Sequence, residues 1–197
     1  MQSFAEAKVI KVACVGDSIT EHSGYPLKLQ ILLGSNYKVE NFGVSGSTVS
    51  VNSNISYMDQ TAFRKALDFE PDIVLVMLGT NDANLAIAKD PDISDDYIRL
   101  VTSFQNLNSS PEILLVDSPH IYSTYSGYNN TYLATNIIPA INNVADEMNL
   151  NTIDMYEKLN DSSYFVDGLH PNDNGSTIIA WTMYDALQEY IDQTPLN

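Results

Sequence analysis

One continuous apolar run constrains the fold of this chain more than any other feature. The run is DIVLVMLG (72–79), in which every side chain between Asp72 and Gly79 is apolar. A strand of this kind has no polar face to present to water, so it is typical of a central parallel strand that is covered on both sides. The chain must therefore supply helices for both faces of a sheet.

Other apolar runs alternate with amphipathic segments along the rest of the chain. The predicted strands are 8–16, 37–44, 72–79, 112–119 and 151–155. The predicted helices are 25–34, 61–69, 94–107, 134–149 and 175–191. Ser94 is expected as an N-cap, and Pro139 either lies near the start of its helix or kinks it. The alternation predicts an α/β three-layer sandwich on a mostly parallel sheet of about five strands. Without an internal repeat, linker or charge block, residues 1–197 are predicted to form a single domain.

The excess of acidic residues disfavours negatively charged binding partners. The sequence has 9 basic and 25 acidic residues and a formal net charge of −16. Such a surface repels nucleic acid and anionic membranes, and it does not exclude neutral substrates. No apolar run reaches the roughly 18–20 residues of a membrane span. The start, MQSFAEAK, has no apolar core of a signal peptide, so localisation stays open between the cytoplasm and secretion after signal removal. Nothing in the sequence predicts an oligomeric state.

The cysteine and two of the three histidines have structural interpretations. Cys14 is the single cysteine, which excludes an internal disulfide, and its place in the first predicted strand indicates a packed, inert thiol. His22 is expected as an exposed loop residue. His120 is expected to cap or line the cleft rather than to react.

Four loops are predicted to meet at one edge of the sheet. Ligands of such sheets bind beyond the carboxyl ends of the strands. The loops there are GDSITEHSG (16–24), NFGVSGST (41–48), GTND (79–82) and, before the last helix, DGLHP (167–171). Each loop alone has an ordinary structural interpretation as a helix cap, a tight turn, an Asx turn or a surface ion pair. Their complementary chemistry at one edge favours a catalytic site.

These loops together contain the groups that acyl transfer requires. A serine hydroxyl such as Ser18 needs a general base within hydrogen-bond reach, and His170 can serve as that base. Asp167, three residues before it, can hold the imidazole in the correct tautomer. An oxyanion needs preset donors, and the candidates are the backbone N–H groups of Ser18 and Gly46 and the side-chain amide of Asn81.

The same four motifs, in this order from residue 16 to residue 171, resemble the SGNH hydrolases, also called GDSL-type esterases. The resemblance implies a flavodoxin-like α/β/α sandwich and no metal or organic cofactor. It implies Ser18 as nucleophile, Asp167 and His170 as the acid–base pair, Gly46 rather than Gly43 as the second oxyanion donor, and Asn81 as the third. It also implies that Asp17 braces the nucleophile loop. The chain departs from the family name at Ile19, which is apolar like leucine. The serine is not in a G-x-S-x-G elbow, which disfavours the α/β-hydrolase fold.

The substrate is the least constrained part of the prediction. The segment 118–132 is expected to overhang the cleft, and its tyrosines suit the faces and hydroxyls of sugars. The candidate lining residues are Tyr122, Tyr125 and Tyr128. Within the family the sequence is most similar to bacterial carbohydrate or sialate O-acetylesterases. We therefore expect a small-molecule or glycan ester substrate that carries acetyl or another short acyl group.

Several alternatives remain at this point. Within the family, they are lysophospholipase, thioesterase and arylesterase activity. A hypothesis from a different class is a non-catalytic, flavodoxin-like binding module. Against flavin binding, the loop GDSITEHSG carries acidic residues and no Lys or Arg where a phosphate would sit.

Overall fold

A five-stranded parallel sheet forms the centre of the described structure. The computed structural model describes residues 8–88, 92–125 and 127–193. The strands are β1 (Ile10–Gly16), β2 (Tyr37–Gly43), β3 (Ile73–Met77), β4 (Glu112–Val116) and β5 (Asn151–Ile153). Their order is β2-β1-β3-β4-β5, and every pairing is parallel. This is the order of flavodoxin-like doubly wound sheets, which confirms the predicted fold class.

Helices connect the strands. They are α1 (Ser18–His22), α2 (Tyr25–Leu33), α3 (Thr61–Asp68), α4 (Ser94–Gln105), α5 (Asn130–Tyr132), α6 (Ile138–Met148), α7 (Met155–Lys158) and α8 (Asp173–Gln193). Short 3₁₀ turns occupy Tyr57–Asp59 and Ser162–Tyr164. Within the described ranges, no helix is both long enough and apolar enough to cross a bilayer.

Side chains of the strands alternate between two apolar cores, one on each face of the sheet. On β1, Ala13 and Val15 belong to the core that is covered by α3, α4 and α6. Val12 and Cys14 belong to the opposite core, which is covered by α2 and α8. Every residue of β3 is buried, as its continuous apolar run predicts. Burial also raises the pKa of the Cys14 thiol to about 12, so this group stays protonated and inert at neutral pH.

Two helix starts differ in detail from the prediction. Ser94 is the first helical residue rather than the N-cap, and its N–H donates to Asp92 Oδ1 at 2.9 Å. The neighbouring acid therefore takes the capping contact. A π-helical segment, Leu133–Ile137, precedes α6, in which Pro139 lies in the first turn. The segment runs directly into α6, since the N–H of Ile138 donates to the carbonyl of Leu133. Pro139, which has no N–H to donate, thus lies near the start of α6, one of its two expected positions.

The register of the central strands aligns the loops that carry the predicted site. Gly16, the last residue of β1, lies opposite Gly43, the last residue of β2. On its other side Gly16 lies opposite Met77, the last residue of β3. Three strands therefore end at the same level, and the loops that follow them begin side by side.

Candidate active site

The turn from β1 into α1 presents the hydroxyl of Ser18 at the edge of the sheet. Ser18 is the first residue of α1 and is half-buried. Asp17 caps the helix, since its Oδ1 accepts a hydrogen bond of 2.9 Å from the N–H of Ile19. Capping fixes the direction of the turn and leaves the Ser18 hydroxyl free to face the loop before α8.

A continuous line of hydrogen bonds joins Ser18, His170 and Asp167. Ser18 Oγ lies 3.0 Å from His170 Nε2, although the two residues are 152 positions apart. On the other side of the ring, His170 Nδ1 lies 2.8 Å from Asp167 Oδ2. A carboxylate can only accept, so Nδ1 carries the proton and Nε2 is left to accept the proton of the serine hydroxyl. This is the arrangement of a nucleophile, a general base and an orienting acid.

The loop before α8 holds the acid and the base together. The N–H of Val166 donates to the carbonyl of His170 at 2.9 Å, which closes the loop on itself. Gly168 has a φ of +80° within it, and a Cβ at that position would lie 2.7 Å from the backbone N of Ser123. Only glycine fits this combination of backbone angle and close approach. Local geometry thus explains why the Asp and His are three residues apart.

The hydrogen bonds to Asp167 also decide its ionisation. Partial burial raises the pKa of the carboxyl, but the opposing hydrogen bonds from His170 and Leu169 outweigh it. The net effect is a pKa of Asp167 below its usual range. Asp167 therefore stays ionised and able to hold the imidazole at neutral pH.

Two of the three predicted oxyanion donors, Gly46 and Asn81, lie on the loops that follow β2 and β3. Gly46 has a φ of +76° in the first of these loops. Within the described ranges, the backbone N–H groups of Ser18 and Gly46 donate to no other protein group. Asn81 is 2% exposed, and its Nδ2 donates to the carbonyl of Ser47 at 3.0 Å. A longer contact of 3.4 Å joins the same Nδ2 to Asp17 Oδ2.

Burial gives Asp17 an unusual ionisation. The side chain is 1% exposed, and burial raises the pKa of its carboxyl to about 7. The negative charge of Asp82 raises the pKa of Asp17 further, whereas the hydrogen bond from Ile19 and the nearby His170 lower it. The predicted bracing role of Asp17 fits its position between α1 and Asn81.

Two further acids brace the loops, and neither was singled out from the sequence. Glu21 Oε2 accepts hydrogen bonds from the backbone N–H and the hydroxyl of Ser45, at 2.7 and 2.5 Å. The contact ties α1 to the loop that carries Gly46. Asp82 accepts from the N–H groups of Val49 and Ser50, both at 3.0 Å. In each of these contacts the acid is more than 20 residues from its partner, so no local sequence pattern predicts the contact.

The three tyrosines predicted to line the substrate occupy different settings. Tyr122 and Tyr125 are 37% and 58% exposed. The N–H of Tyr122 donates to the carbonyl of Gly168 at 2.7 Å, so this segment lies against the loop of Asp167 and His170. Tyr128 points its hydroxyl at Asn81 Oδ1, 2.8 Å away. Ser126 of the same segment lies outside the described residues.

The other two histidines have other partners than Ser18 Oγ, and His22 is the last residue of α1 rather than a loop residue. His120 stacks on Tyr156 with a centroid distance of 3.6 Å, and burial lowers the pKa of its imidazole. His22 is exposed and lies 3.3 Å from Glu21 Oε2. Among the described residues, no group of His, Cys, Asp and Glu side chains has an arrangement that could hold a metal ion.

A cavity of about 370 Å³ opens beside the serine and the histidine. Its lining residues are Ser18, Ile19, His22, Ser23, Val166, Asp167, His170 and Pro171. The volume lies at the lower end of the range of roughly 300–1,000 Å³ that is typical of small-molecule sites. The cavity lies on the imidazole side of Ser18, since none of the oxyanion candidates other than Ser18 lines it.

A comparison with protein families agrees with this geometry. Residues 14–178 match the model of the GDSL-like Lipase/Acylhydrolase family. The chain belongs to this family. The match covers most of the sequence and all four motifs, and it confirms the resemblance seen in the sequence. The family name covers lipases and acylhydrolases, which are hydrolases of carboxylic esters.

Individual relatives of this GDSL-like chain include enzymes that act on carbohydrates. An acetylxylan esterase of Xylanibacter ruminicola is 32% identical over 207 aligned positions, which cover 91% of this chain and 43% of that protein. The chain thus spans less than half the length of this curated relative.

Solved structures share the fold. A carbohydrate acetylesterase from Sinorhizobium meliloti superposes with a TM-score of 0.77 at 19% identity, over 92% of this chain and 99% of that one. An aryl esterase of M. smegmatis gives a TM-score of 0.75 at 17% identity, over 91% and 99% of the two chains. An acetyl xylan esterase gives 0.75 at 22% identity, over 90% and 100%. At these identities the likeness establishes the fold alone.

Proposed function

We propose that this chain is a serine esterase that removes acetyl or similarly short acyl groups from carbohydrate esters. The observation that carries the proposal is the line of hydrogen bonds from Ser18 Oγ through His170 to Asp167, with distances of 3.0 and 2.8 Å. Neither distance requires movement of the protein before the serine can transfer its proton.

The first half of the proposed reaction forms an acyl-enzyme. Ser18 Oγ attacks the carbonyl carbon of the ester as its proton passes to His170 Nε2. The carbonyl oxygen becomes an oxyanion that accepts hydrogen bonds from the N–H groups of Ser18 and Gly46 and from Asn81 Nδ2. The tetrahedral intermediate then breaks its bond to the alcohol oxygen, which takes the proton from His170 and leaves.

The second half repeats these steps with water. His170 takes a proton from water, whose oxygen attacks the acyl carbon in the same oxyanion pocket. The new intermediate releases Ser18 Oγ, which regains its proton from His170, and the free acid departs. Asp167 keeps the proton on Nδ1 throughout and stabilises the imidazolium each time it forms.

The cavity supports a bulky alcohol and a small acyl group. The alcohol oxygen must approach His170 Nε2 to receive its proton, so the alcohol lies on the imidazole side of Ser18. The cavity of about 370 Å³ lies on that side. Tyr122 lies in the segment that contacts the loop of Asp167 and His170, and the rings of Tyr122 and Tyr125 are exposed enough to contact a sugar. The acetylxylan esterase that is 32% identical supports the same substrate class.

A series of p-nitrophenyl esters tests the nucleophile and the acyl length. We expect kcat/KM to be highest for acetate and to decline toward octanoate. Ser18→Ala should lower activity at least about 10⁴-fold, because the remaining site cannot form the acyl-enzyme. Ser23→Ala is the matched control, since this serine lines the same cavity. Full activity of Ser18→Ala would refute the nucleophile, and a maximum at octanoate or beyond would refute the short-acyl preference.

Acetate release from acetylated xylan tests the proposal that the substrate is a carbohydrate ester. Tyr122→Ala and Tyr125→Ala should lower kcat/KM on this polymer by about 3–10-fold, the value of one lost aromatic contact. The same variants should leave p-nitrophenyl acetate hydrolysis nearly unchanged. An enzyme that cleaves p-nitrophenyl acetate but releases no acetate from xylan would contradict xylan as the substrate. Equal losses on both substrates would contradict a sugar-lining role for the two tyrosines.

A further inference from the structure

The amide of Asn81 has complementary partners at both ends. Its Oδ1 accepts a hydrogen bond of 2.8 Å from the hydroxyl of Tyr128. Its Nδ2 faces acceptors only, namely the Ser47 carbonyl at 3.0 Å and Asp17 Oδ2 at 3.4 Å. A flipped amide would turn Oδ1 toward a carbonyl and a carboxylate, which cannot donate when that acid is ionised. The observed orientation is therefore the one that the surroundings allow.

The spare donor capacity of Asn81 lies on the Nδ2 side. An amide nitrogen carries two hydrogens, and the bond to Ser47 uses one of them. The contact to Asp17 is long at 3.4 Å, so it is a weak hydrogen bond. The second hydrogen is consequently available to a stronger acceptor such as a developing oxyanion.

Tyr128 is held to the same loop as Asn81 by the backbone. The N–H of Leu85 donates to the carbonyl of Gly127, and the N–H of Asn129 donates to the carbonyl of Ala83, both at 3.2 Å. These bonds flank Tyr128 on either side and fix its Cα next to the loop that follows β3. The donor and its acceptor Oδ1 thus belong to one clamped unit, although they are 47 residues apart.

Close packing beside Tyr128 restricts the movement of its backbone relative to the loop that follows β3. Gly127 has a φ of +94°, and a Cβ on it would lie 2.2 Å from Asn84 Oδ1. The Asn84 side chain is 3% exposed, and its Oδ1 accepts a hydrogen bond of 3.0 Å from the N–H of Ala86. The ring of Tyr128 packs against the apolar core. Burial raises the pKa of its hydroxyl, which therefore remains a neutral donor.

We propose that Tyr128 is a positioning residue of the ester hydrolysis, and that its hydroxyl holds the Asn81 amide with Nδ2 turned toward the oxyanion. This role rests on the proposed function, because it needs Asn81 as an oxyanion donor. A hydrogen bond donated to the amide oxygen also polarises the amide, which strengthens the bond that Nδ2 gives. The role differs from sugar lining, for which the hydroxyl would have to face the cleft.

A double-mutant cycle on p-nitrophenyl acetate tests the proposal. Asn81→Ala should lower kcat about 10²–10³-fold, as the loss of one oxyanion donor does. Tyr128→Phe keeps the packed ring and should lower kcat about 3–10-fold, the value of one neutral hydrogen bond. KM should change less than about twofold, because acylation and deacylation both use the same oxyanion pocket. In the Asn81→Ala background, Tyr128→Phe should have almost no further effect.

The outcomes separate this role from the function on which it rests. Tyr37→Phe is the matched control, since it removes the hydroxyl of another tyrosine packed against an apolar core, at the start of β2 and so at the opposite end of the sheet from the site. An unchanged kcat in Tyr128→Phe, with a large loss in Asn81→Ala, would overturn the positioning role alone. If Tyr128→Phe lowers kcat by the same factor in the unsubstituted protein and in Asn81→Ala, the positioning role would also be overturned, because Tyr128 would then act without Asn81. An unchanged kcat in Asn81→Ala would overturn the oxyanion donor and the positioning role together. Thermal unfolding of each variant checks that the fold is intact.

Discussion

Asp167 divides two tasks between its two carboxylate oxygens. Oδ1 accepts from the backbone N–H groups of Leu169 and His170, at 3.0 and 2.8 Å. Oδ2 contacts the imidazole Nδ1 of His170 at 2.8 Å. The first oxygen fixes the loop and the second fixes the tautomer. A substitution that keeps the first task and changes the second can therefore isolate the proposed chemistry.

Asp167→Asn is such a substitution. The Asn oxygen can still accept from the loop, but its NH₂ group would donate to His170 Nδ1. The imidazole proton would then move to Nε2, which could no longer accept a proton from Ser18. We expect kcat to fall by about 10⁴-fold, the value known for the matching change in a serine protease. Steady-state hydrolysis of p-nitrophenyl acetate measures this loss.

The unfolding midpoint is the control for this variant. A midpoint close to that of the unsubstituted protein would show that the loop is kept. A kcat within about tenfold of the unsubstituted value would contradict the role of Asp167 in setting the tautomer.

Asp117, directly after β4, predicts a pH dependence of stability. It is 4% exposed, and burial raises the pKa of its carboxyl to about 7, with a further rise from Asp154 and an opposing hydrogen bond from Asn142. Its Oδ1 has no hydrogen-bond partner among the described residues. Because the folded pKa exceeds the unfolded value of about 3.9, the protonated carboxyl favours folding. The stability that the protonated Asp117 contributes is fully present below about pH 4, and it is lost as the pH rises through about 7.

Asp117→Asn should therefore stabilise the protein at high pH. The variant carries no buried charge, so we expect its Tm at pH 8 to exceed that of the unsubstituted protein by about 2–4 °C. The difference should shrink toward pH 5, where the unsubstituted Asp117 is mostly protonated. Scanning calorimetry at both pH values measures it. Other titrating acids such as Asp17 contribute equally to both proteins and cancel in the comparison. The same difference at pH 5 and pH 8 would contradict the ionisation of Asp117.

Individual residues were predictable where the signal was local in the sequence. The pair Asp167 and His170 lies within one short loop with a glycine between them, so the sequence alone indicated their contact. The hydrogen bond from Tyr128 to Asn81 joins residues 47 positions apart. Nothing near either residue indicates it, and Tyr128 was expected to face a sugar. Contacts of this kind depend on how two loops pack, which a single sequence does not state. The assignments to catalysis and to substrate lining themselves stay predictions until activity is measured.

At the scale of elements, the strands and the longer helices were predictable because burial imposes their periodicity. The run 72–79 was predicted as a strand, and β3 covers Ile73–Met77 of it. The ends were less predictable, because apolar residues continue past the last strand pairing into the loop. The π-helical segment Leu133–Ile137 was not predicted, since its residues fit an α-helix equally well.

The loop before α8 gives a prediction at this scale. Gly168 and Gly24 share a φ of +80°, but a Cβ on Gly168 would meet backbone atoms at 2.7 Å, whereas nothing lies within 4 Å of one on Gly24. Gly24→Ala should cost roughly 1–2 kcal/mol in the free energy of unfolding, the strain of the backbone angle alone. Gly168→Ala should cost more, and it should lower kcat roughly 10–100-fold because the loop must shift.

Urea unfolding and p-nitrophenyl acetate hydrolysis measure the two effects. Gly24 serves as the control for the backbone angle, because space beside it is open. Equal losses of stability in the two variants would show that Ser123 and Tyr122 do not confine the loop. An unchanged kcat in a destabilised Gly168→Ala would show that the position of the loop does not control activity.

At the scale of the whole molecule, the sheet brings distant segments together. Ser18 and His170 are 152 residues apart, yet they meet because Ser18 directly follows β1 and the loop of His170, between β5 and α8, lies at the same edge of the parallel sheet. That meeting was predictable from the α/β alternation and from the rule for the carboxyl ends of strands. The α/β alternation did not predict the strand order β2-β1-β3-β4-β5, which is the order of the flavodoxin-like fold that the family resemblance implied. The division into a single domain stays a prediction.

The net charge of −16 leads to a prediction for the molecule as a whole. With 25 acidic and 9 basic residues, most carboxylates have no basic partner available, so their mutual repulsion opposes the compact state. Raising the salt concentration from about 0.01 M to 0.15 M shortens the screening length from about 30 Å to about 8 Å. We therefore expect the urea midpoint at pH 7.5 to rise with NaCl. Near the sequence pI of about 4.2 the repulsion is largely gone, so the same salt should have little effect there. A midpoint that falls with salt at pH 7.5, or rises equally at both pH values, would show that charge repulsion does not limit stability.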